Sequence, residues 1–110
     1  MIRAHLNEYR LGWFVGDFDP SILTTKEFEV AVKSFSRGDT EPIHHQRQAT
    51  EITLVISGEC SLAGELLFAG DMLRLDPFES GGFEAITDCT LVVVKTPSLP
   101  NDKVLGDVAV

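Results

Sequence analysis

His44, His45, Gln46 and Glu51 place two imidazoles, an amide and a carboxylate within eight consecutive positions. Such a set can ligate a first-row metal, which wants three or four nitrogen or oxygen donors converging at about 2.0 to 2.2 Å. It can also form an internal imidazole–acid pair that satisfies two polar groups without any metal. In extended backbone, residues two apart share a face, so His44 and Gln46 are expected to point inward together and His45 and Arg47 outward. After a short bend at Gln48-Ala49-Thr50, Glu51 can return to the face of His44. That gives one good nitrogen ligand, one carboxylate and a poor amide oxygen. Nucleophilic catalysis has less support, because Ser57 and Ser61 have no patterned base nearby and Cys60 has no basic neighbour to lower its pKa.

These side chains must be held by strands. Residues 50–56, TEITLVI, alternate, with Glu51, Thr53 and Val55 on one face and Ile52, Leu54 and Ile56 on the other. Gly38-Asp39 makes the turn before this run, and Gly58 permits the reversal after it. Upstream, 11–16 (LGWFVG) reads as a short aromatic strand and Asp19-Pro20-Ser21 as a turn. Residues 28–36 alternate, with Phe28, Val30 and Val32 facing one way and Glu29, Ala31 and Lys33 the other. Downstream, 60–62 and 66–68 form a hairpin with its tip at Ala63-Gly64-Glu65, 72–75 is a strand, and 82–86 and 89–96 are the last two clear strands. Segment 103–110 is left between a short strand and no order. Turn signals every 8 to 12 residues, and no convincing helical period over 12 residues, predict an all-β chain.

The stretch 38–58, GDTEPIHHQRQATEITLVISG, resembles the first motif of the cupin family, with Gly38, His44, Glu51 and Gly58 in register and Gln46 at the position of the second histidine. The second motif overlays GDMLRLDPFESGGFEA from Gly70, with Pro77 one place late, Phe78 at the glycine position, Gly81 at the histidine position and Ala85 at the asparagine position. The resemblance implies an antiparallel cupin-like β-barrel or jelly roll, with a metal centre reduced to His44 and Glu51. Glu79 is the nearest replacement for the missing donor and Glu84 a more remote one. The ligand site implied at the barrel mouth comprises His44, Gln46, Glu51 and Glu79. The cofactor expectation is either none or a weakly bound divalent ion, with Fe, Mn, Ni and Zn not distinguished.

Composition narrows the partners. With 110 residues the chain is read as one domain, core about 11–97 and a C-terminal extension 98–110, able to bury about 60 to 70% of its unfolded surface. A formal charge of −8 opposes binding to nucleic acid or an anionic membrane. No apolar run reaches the roughly 20 residues that cross a bilayer. Cys60 and Cys89 read as small buried thiols, which together with the absence of a signal pattern leads to a cytoplasmic expectation. The apolar face of Ile52, Leu54 and Ile56 needs a cover, either the N-terminal strands or a second subunit, and a homodimer is expected. Three functions remain: a small-molecule-binding protein, a metal-dependent enzyme of isomerase or dioxygenase type using His44 and Glu51, or a non-catalytic dimeric accessory module.

Overall fold

The computed structural model describes residues 1–106. Residues 107–110, which include the end of the undecided C-terminal segment, lie outside the described residues. After two 3-10 turns, Leu6–Glu8 and Arg10–Gly12, the chain forms eleven strands: β1 (Trp13–Gly16), β2 (Leu23–Thr24), β3 (Glu29–Phe35), β4 (Thr40–Gln46), β5 (Thr50–Ser57), β6 (Glu59–Leu62), β7 (Glu65–Phe68), β8 (Met72–Leu75), β9 (Gly81–Ala85), β10 (Cys89–Thr96) and β11 (Lys103–Leu105). The undecided segment thus begins with a strand, β11.

Two sheets result, ordered β2-β1-β3-β10-β5-β8 and β11-β4-β9-β6-β7. Every pair is antiparallel except β1 with β2. Among the described residues, no hydrogen-bonded ladder joins the sheets into one closed ring, so β2, β8, β11 and β7 remain edge strands. Where a cupin-like β-barrel or jelly roll was expected, the described residues form two facing sheets that do not close into a barrel.

The core lies between them. Val55, Leu91 and Val93 from the larger sheet meet Cys60, Leu62, Leu67, Phe83 and Ala85 from the smaller. Phe35 and Phe83 stack across the gap at 4.5 Å between ring centroids. The hairpin at Ala63-Gly64 turns with both residues at positive φ, 51° and 79°, as a two-residue reversal of right-handed strands requires. Cys60 and Cys89 are free and buried. Burial, with a smaller contribution from Cys89, pushes the Cys60 thiol up to about 11, which makes it a core residue and no nucleophile.

Strand pairing sets the geometry of one end of the larger sheet. Lys95 on β10 lies directly opposite Glu29 on β3 and Glu51 on β5. These three belong to the inward-facing rows, because the next row along pairs Ala31, Val93 and Thr53, all buried. On the outward face Ile56 is 52% and Met72 68% exposed. The N-terminal turns pack elsewhere, with Leu6 and Tyr9 near Phe14, Ile22 and Val32.

Asp102 fastens the C-terminal segment to this end. Its carboxylate, buried, accepts from the backbone N–H of Gln48 at 3.0 Å and of Ala49 at 2.9 Å, and its carbonyl accepts from Arg47 N–H at 3.2 Å. The bend between β4 and β5 therefore obtains its hydrogen bonds from a residue more than fifty positions away. Asp102→Ala strands two amide donors, one in a buried residue, and is expected to lower stability by about 1 to 2 kcal/mol, read as a lower midpoint in urea at unchanged slope.

Candidate ligand site

His44 and Glu51 line one cavity between the sheets, so the structure brings these two together. They form no hydrogen bond to each other among the described residues. Instead His44 Nδ1 lies 3.1 Å from the Pro42 carbonyl oxygen. Burial lowers the pKa of His44 below 6.5, against the Pro42 contact, which raises it; Lys103 lowers it further, and Glu51 and Glu41 raise it. A histidine kept neutral in the fold binds fewer protons than its unfolded form just below pH 6.5. Stability is then lost as pH falls from 6.5 to the lowered value. Denaturant titrations across that window should show this loss in the native protein and a smaller one in His44→Gln.

The other nominated residues are dispersed. Gln46 is 5% exposed and its Nε2 has no hydrogen-bond partner. Glu79 is exposed, accepts from the Asp76 N–H at 3.0 Å within its own turn, and does not line the cavity of His44 and Glu51. Glu84 is likewise exposed. His45 corrects the sequence reading. It is buried, at 7% exposure, because β11 pairs along β4 and the Gly106 carbonyl oxygen lies 3.0 Å from its Nδ1.

What the sequence reading missed is a cluster of amines. The chain has four lysines, and three of them, Lys33, Lys95 and Lys103, line the same cavity as His44 and Glu51. This inner space is about 30 Å³, enough for one water. It adjoins a mouth of about 360 Å³ lined again by these three lysines, with Arg10, Trp13 and Glu29. Four cationic side chains meet three acidic ones there, and Glu51 in the inner space makes a fourth acid, so on a chain of net −8 the site concentrates cations to parity with acids. A larger groove of about 540 Å³ beside the N-terminal turns contains neither Lys95, Glu51 nor His44, so size alone does not locate the chemistry.

The three amines differ in what satisfies them. Lys33 Nζ pairs with Glu41 at 3.5 Å, and Lys103 is exposed to water. Lys95 is half-buried, and no carboxylate of the described residues lies within 4.0 Å of its Nζ. Its nearest recorded partner is the Trp13 ring, 5.0 Å from Nζ to centroid. Burial lowers the Lys95 pKa, opposed by Glu51 and Glu29. Burial likewise raises the Glu29 carboxyl, opposed by Lys95 and by a hydrogen bond from Ser98 Oγ at 3.3 Å. The sequence carried a signal for this: the core face of β10 reads Cys89, Leu91, Val93, Lys95, an ammonium continuing an apolar row.

A divalent metal does not fit this donor set. Among the described residues, no three His, Cys, Asp or Glu side chains are grouped so as to hold an ion. Gly81 lies directly across from His44, where the family pattern has a histidine, and a Cβ there would already stand 3.0 Å from Ala63 Cβ and 3.4 Å from Leu75 Cδ1. Even a methyl group at this position would need Ala63 to give way by a few tenths of an ångström. Three ammonium groups in the same cavity add repulsion for any cation held by His44 and Glu51.

The chain matches no family model and no curated protein. Solved structures do share its architecture. An uncharacterized conserved protein with a double-stranded β-helix domain from Klebsiella pneumoniae superposes with a TM-score of 0.70 at 23% identity, over 79% of this chain and 76% of that one. The fold is cupin-like. KdgF from Halomonas sp. (TM-score 0.63, 23% identity, 71% of this chain and 74% of that one) has the same cupin-like fold. So has an RmlC-like cupin from Shewanella frigidimarina (0.59, 22%, 66% and 68%). At these identities the likeness concerns the cupin-like fold and carries no activity with it.

Proposed function

We propose that the chain binds a small organic anion, a carboxylate in the first instance, at the cavity mouth, with Lys95 as its principal contact and Lys33 and Lys103 as flanking cations. The observation that carries this reading is the state of Lys95: half-buried, facing the cavity, and without a carboxylate of the described residues within 4.0 Å. A half-buried ammonium without a protein carboxylate in contact relies on water for its hydrogen bonds, and a ligand carboxylate would supply a charge-assisted partner in its place. The volume of the mouth, about 360 Å³, suits a ligand of metabolite size. His44 and Glu51 then serve as hydrogen-bonding groups from the inner space, while Gln46 and Glu79, which line neither it nor the mouth, take no part. Calorimetric titration with lactate, malonate and gluconate tests the reading. At least one should bind with a Kd of about 1 mM or tighter, weakening as salt rises. Heat changes indistinguishable from dilution for all three would remove it.

A second copy of the chain is the proposed cover for the outward face of β5 and β8, a reading favoured by the exposure of Ile52, Ile56 and Met72 on one continuous surface. Light scattering should give twice the chain mass for the native protein and a lower mass for Ile56→Asp. A native monomer at all concentrations would count against it. Two free thiols suit a reducing, cytoplasmic setting. No helix of the described residues is long and apolar enough to cross a membrane.

A further inference from the structure

Lys95 differs from a simple anion-binding lysine in having a carboxylate directly opposite it on each neighbouring strand, Glu29 on β3 and Glu51 on β5. Directly opposed residues of antiparallel strands bring their Cβ atoms to about 4.5 to 5.5 Å, close enough for long side chains to act on one bound molecule. Trp13 covers the amine from one side. The inner cavity beyond it holds the volume of one water. Lys33, Lys103 and Arg10 stand around the same mouth as counter-charges.

We propose that Lys95 captures the carbonyl carbon of a small oxo acid, a 2-oxo acid or an aldehyde acid, as a reversible imine. This rests on the anion-binding reading, which supplies the hold on the ligand's carboxylate, and goes beyond it in assigning a covalent step. The Lys95 ammonium gives one proton, by way of a bridging water, to a carboxylate, Glu51 or Glu29, leaving a free amine. The nitrogen lone pair forms a bond to the carbonyl carbon as the carbonyl π pair moves onto oxygen, and a proton from the nitrogen passes to that oxygen to give a neutral carbinolamine. Protonation of the hydroxyl by the carboxyl formed in the first step lets it leave as water while the nitrogen lone pair forms the C=N bond of a protonated imine. The balance is ammonium plus carbonyl giving protonated imine plus one water, with the carboxylate regenerated and nothing oxidised or reduced. A water-sized space sits beside the amine to receive the product water, and the two acids flank it to carry the protons.

The test is reductive trapping. The full chain is incubated with pyruvate and sodium cyanoborohydride at neutral pH, and the adduct is located by peptide mass mapping. Lys95 should acquire the pyruvate skeleton less its keto oxygen about tenfold faster than Lys26, which lies outside the cavity. Lactate should slow this labelling. In Lys95→Arg the cavity adduct should vanish while labelling of Lys26 continues, and Glu51→Gln should slow capture by a larger factor than it weakens lactate binding. Labelling of Lys95 no faster than Lys26 overturns the proposal. If lactate still binds in that case, only the covalent step falls; if neither lactate binds nor Lys95 reacts, the anion site falls with it.

Discussion

Gly58→Ala is expected to lower the stability of the fold by about 3 kcal/mol, the sum of a backbone and a steric cost. Gly58 joins β5 to β6 at φ 82°, in the left-handed region, where an L side chain alone costs about 1 to 2 kcal/mol. The added Cβ would also press on the Asp88 carbonyl oxygen and stand 2.8 Å from Cys89 Cβ. Neither neighbour can move freely, since Cys89 is a buried core residue and Asp88 Oδ1 accepts from the Arg37 N–H at 2.8 Å. Gly38 provides the internal control. It has a similar φ of 88° with nothing within 4 Å of an added Cβ, so Gly38→Ala should cost only the backbone part, about 1 kcal/mol. Urea denaturation of both variants gives the comparison. Equal losses would mean that the turn at Gly58 is looser than its contacts state.

Lys95→Met carries the largest expected effect on binding. Methionine retains the packing volume against Trp13 and removes the charge. A charge-assisted hydrogen bond contributes about 1.5 to 3 kcal/mol, so the affinity for a bound carboxylate should fall by roughly tenfold to a hundredfold. Lys26→Met removes the same charge from the whole chain but outside the cavity, and should leave affinity within about twofold at physiological salt. The pair separates local contact from net charge. In Lys95→Met, Glu29 also loses the cation that most opposes its burial, so its carboxyl should titrate higher still. An unchanged affinity in Lys95→Met would transfer the role to Lys33 or Lys103.

Much of the architecture was legible in local alternation. The runs 50–56 and 89–96 fall within β5 and β10, the tip at Ala63-Gly64 is a turn, and Gly58 takes the positive φ that its place after a strand required. Alternation does not say which face is inside. In β3 the apolar residues Val30 and Val32 lie on the outward rows, while Glu29 and Lys33 line the cavity around a buried Ala31. The burial of His45 was hidden for a different reason. It depends on β11, a three-residue strand almost sixty positions away, held by Asp102 through backbone amides.

The site was half legible. His44 and Glu51 are close in sequence and carry a recognisable spacing, so their sharing of a cavity could be read. The lysines are spread from 33 to 103 and are unremarkable one by one, as strand-end lysines usually reach water. Only the β3-β10-β5 ladder and the return of β11 collect them. What the fold assembled is a group of lysines facing carboxylates where the sequence pattern had suggested a weakened cation-binding centre.

Lysine side-chain NMR tests the role of these lysines most directly. With 13C-labelled lysine, the four side chains give separable signals that can be followed during a lactate titration. The account predicts that Lys95 shifts most, Lys33 and Lys103 shift with the same midpoint, and Lys26 stays in place. Small and equal shifts at all four lysines, Lys26 included, would contradict it.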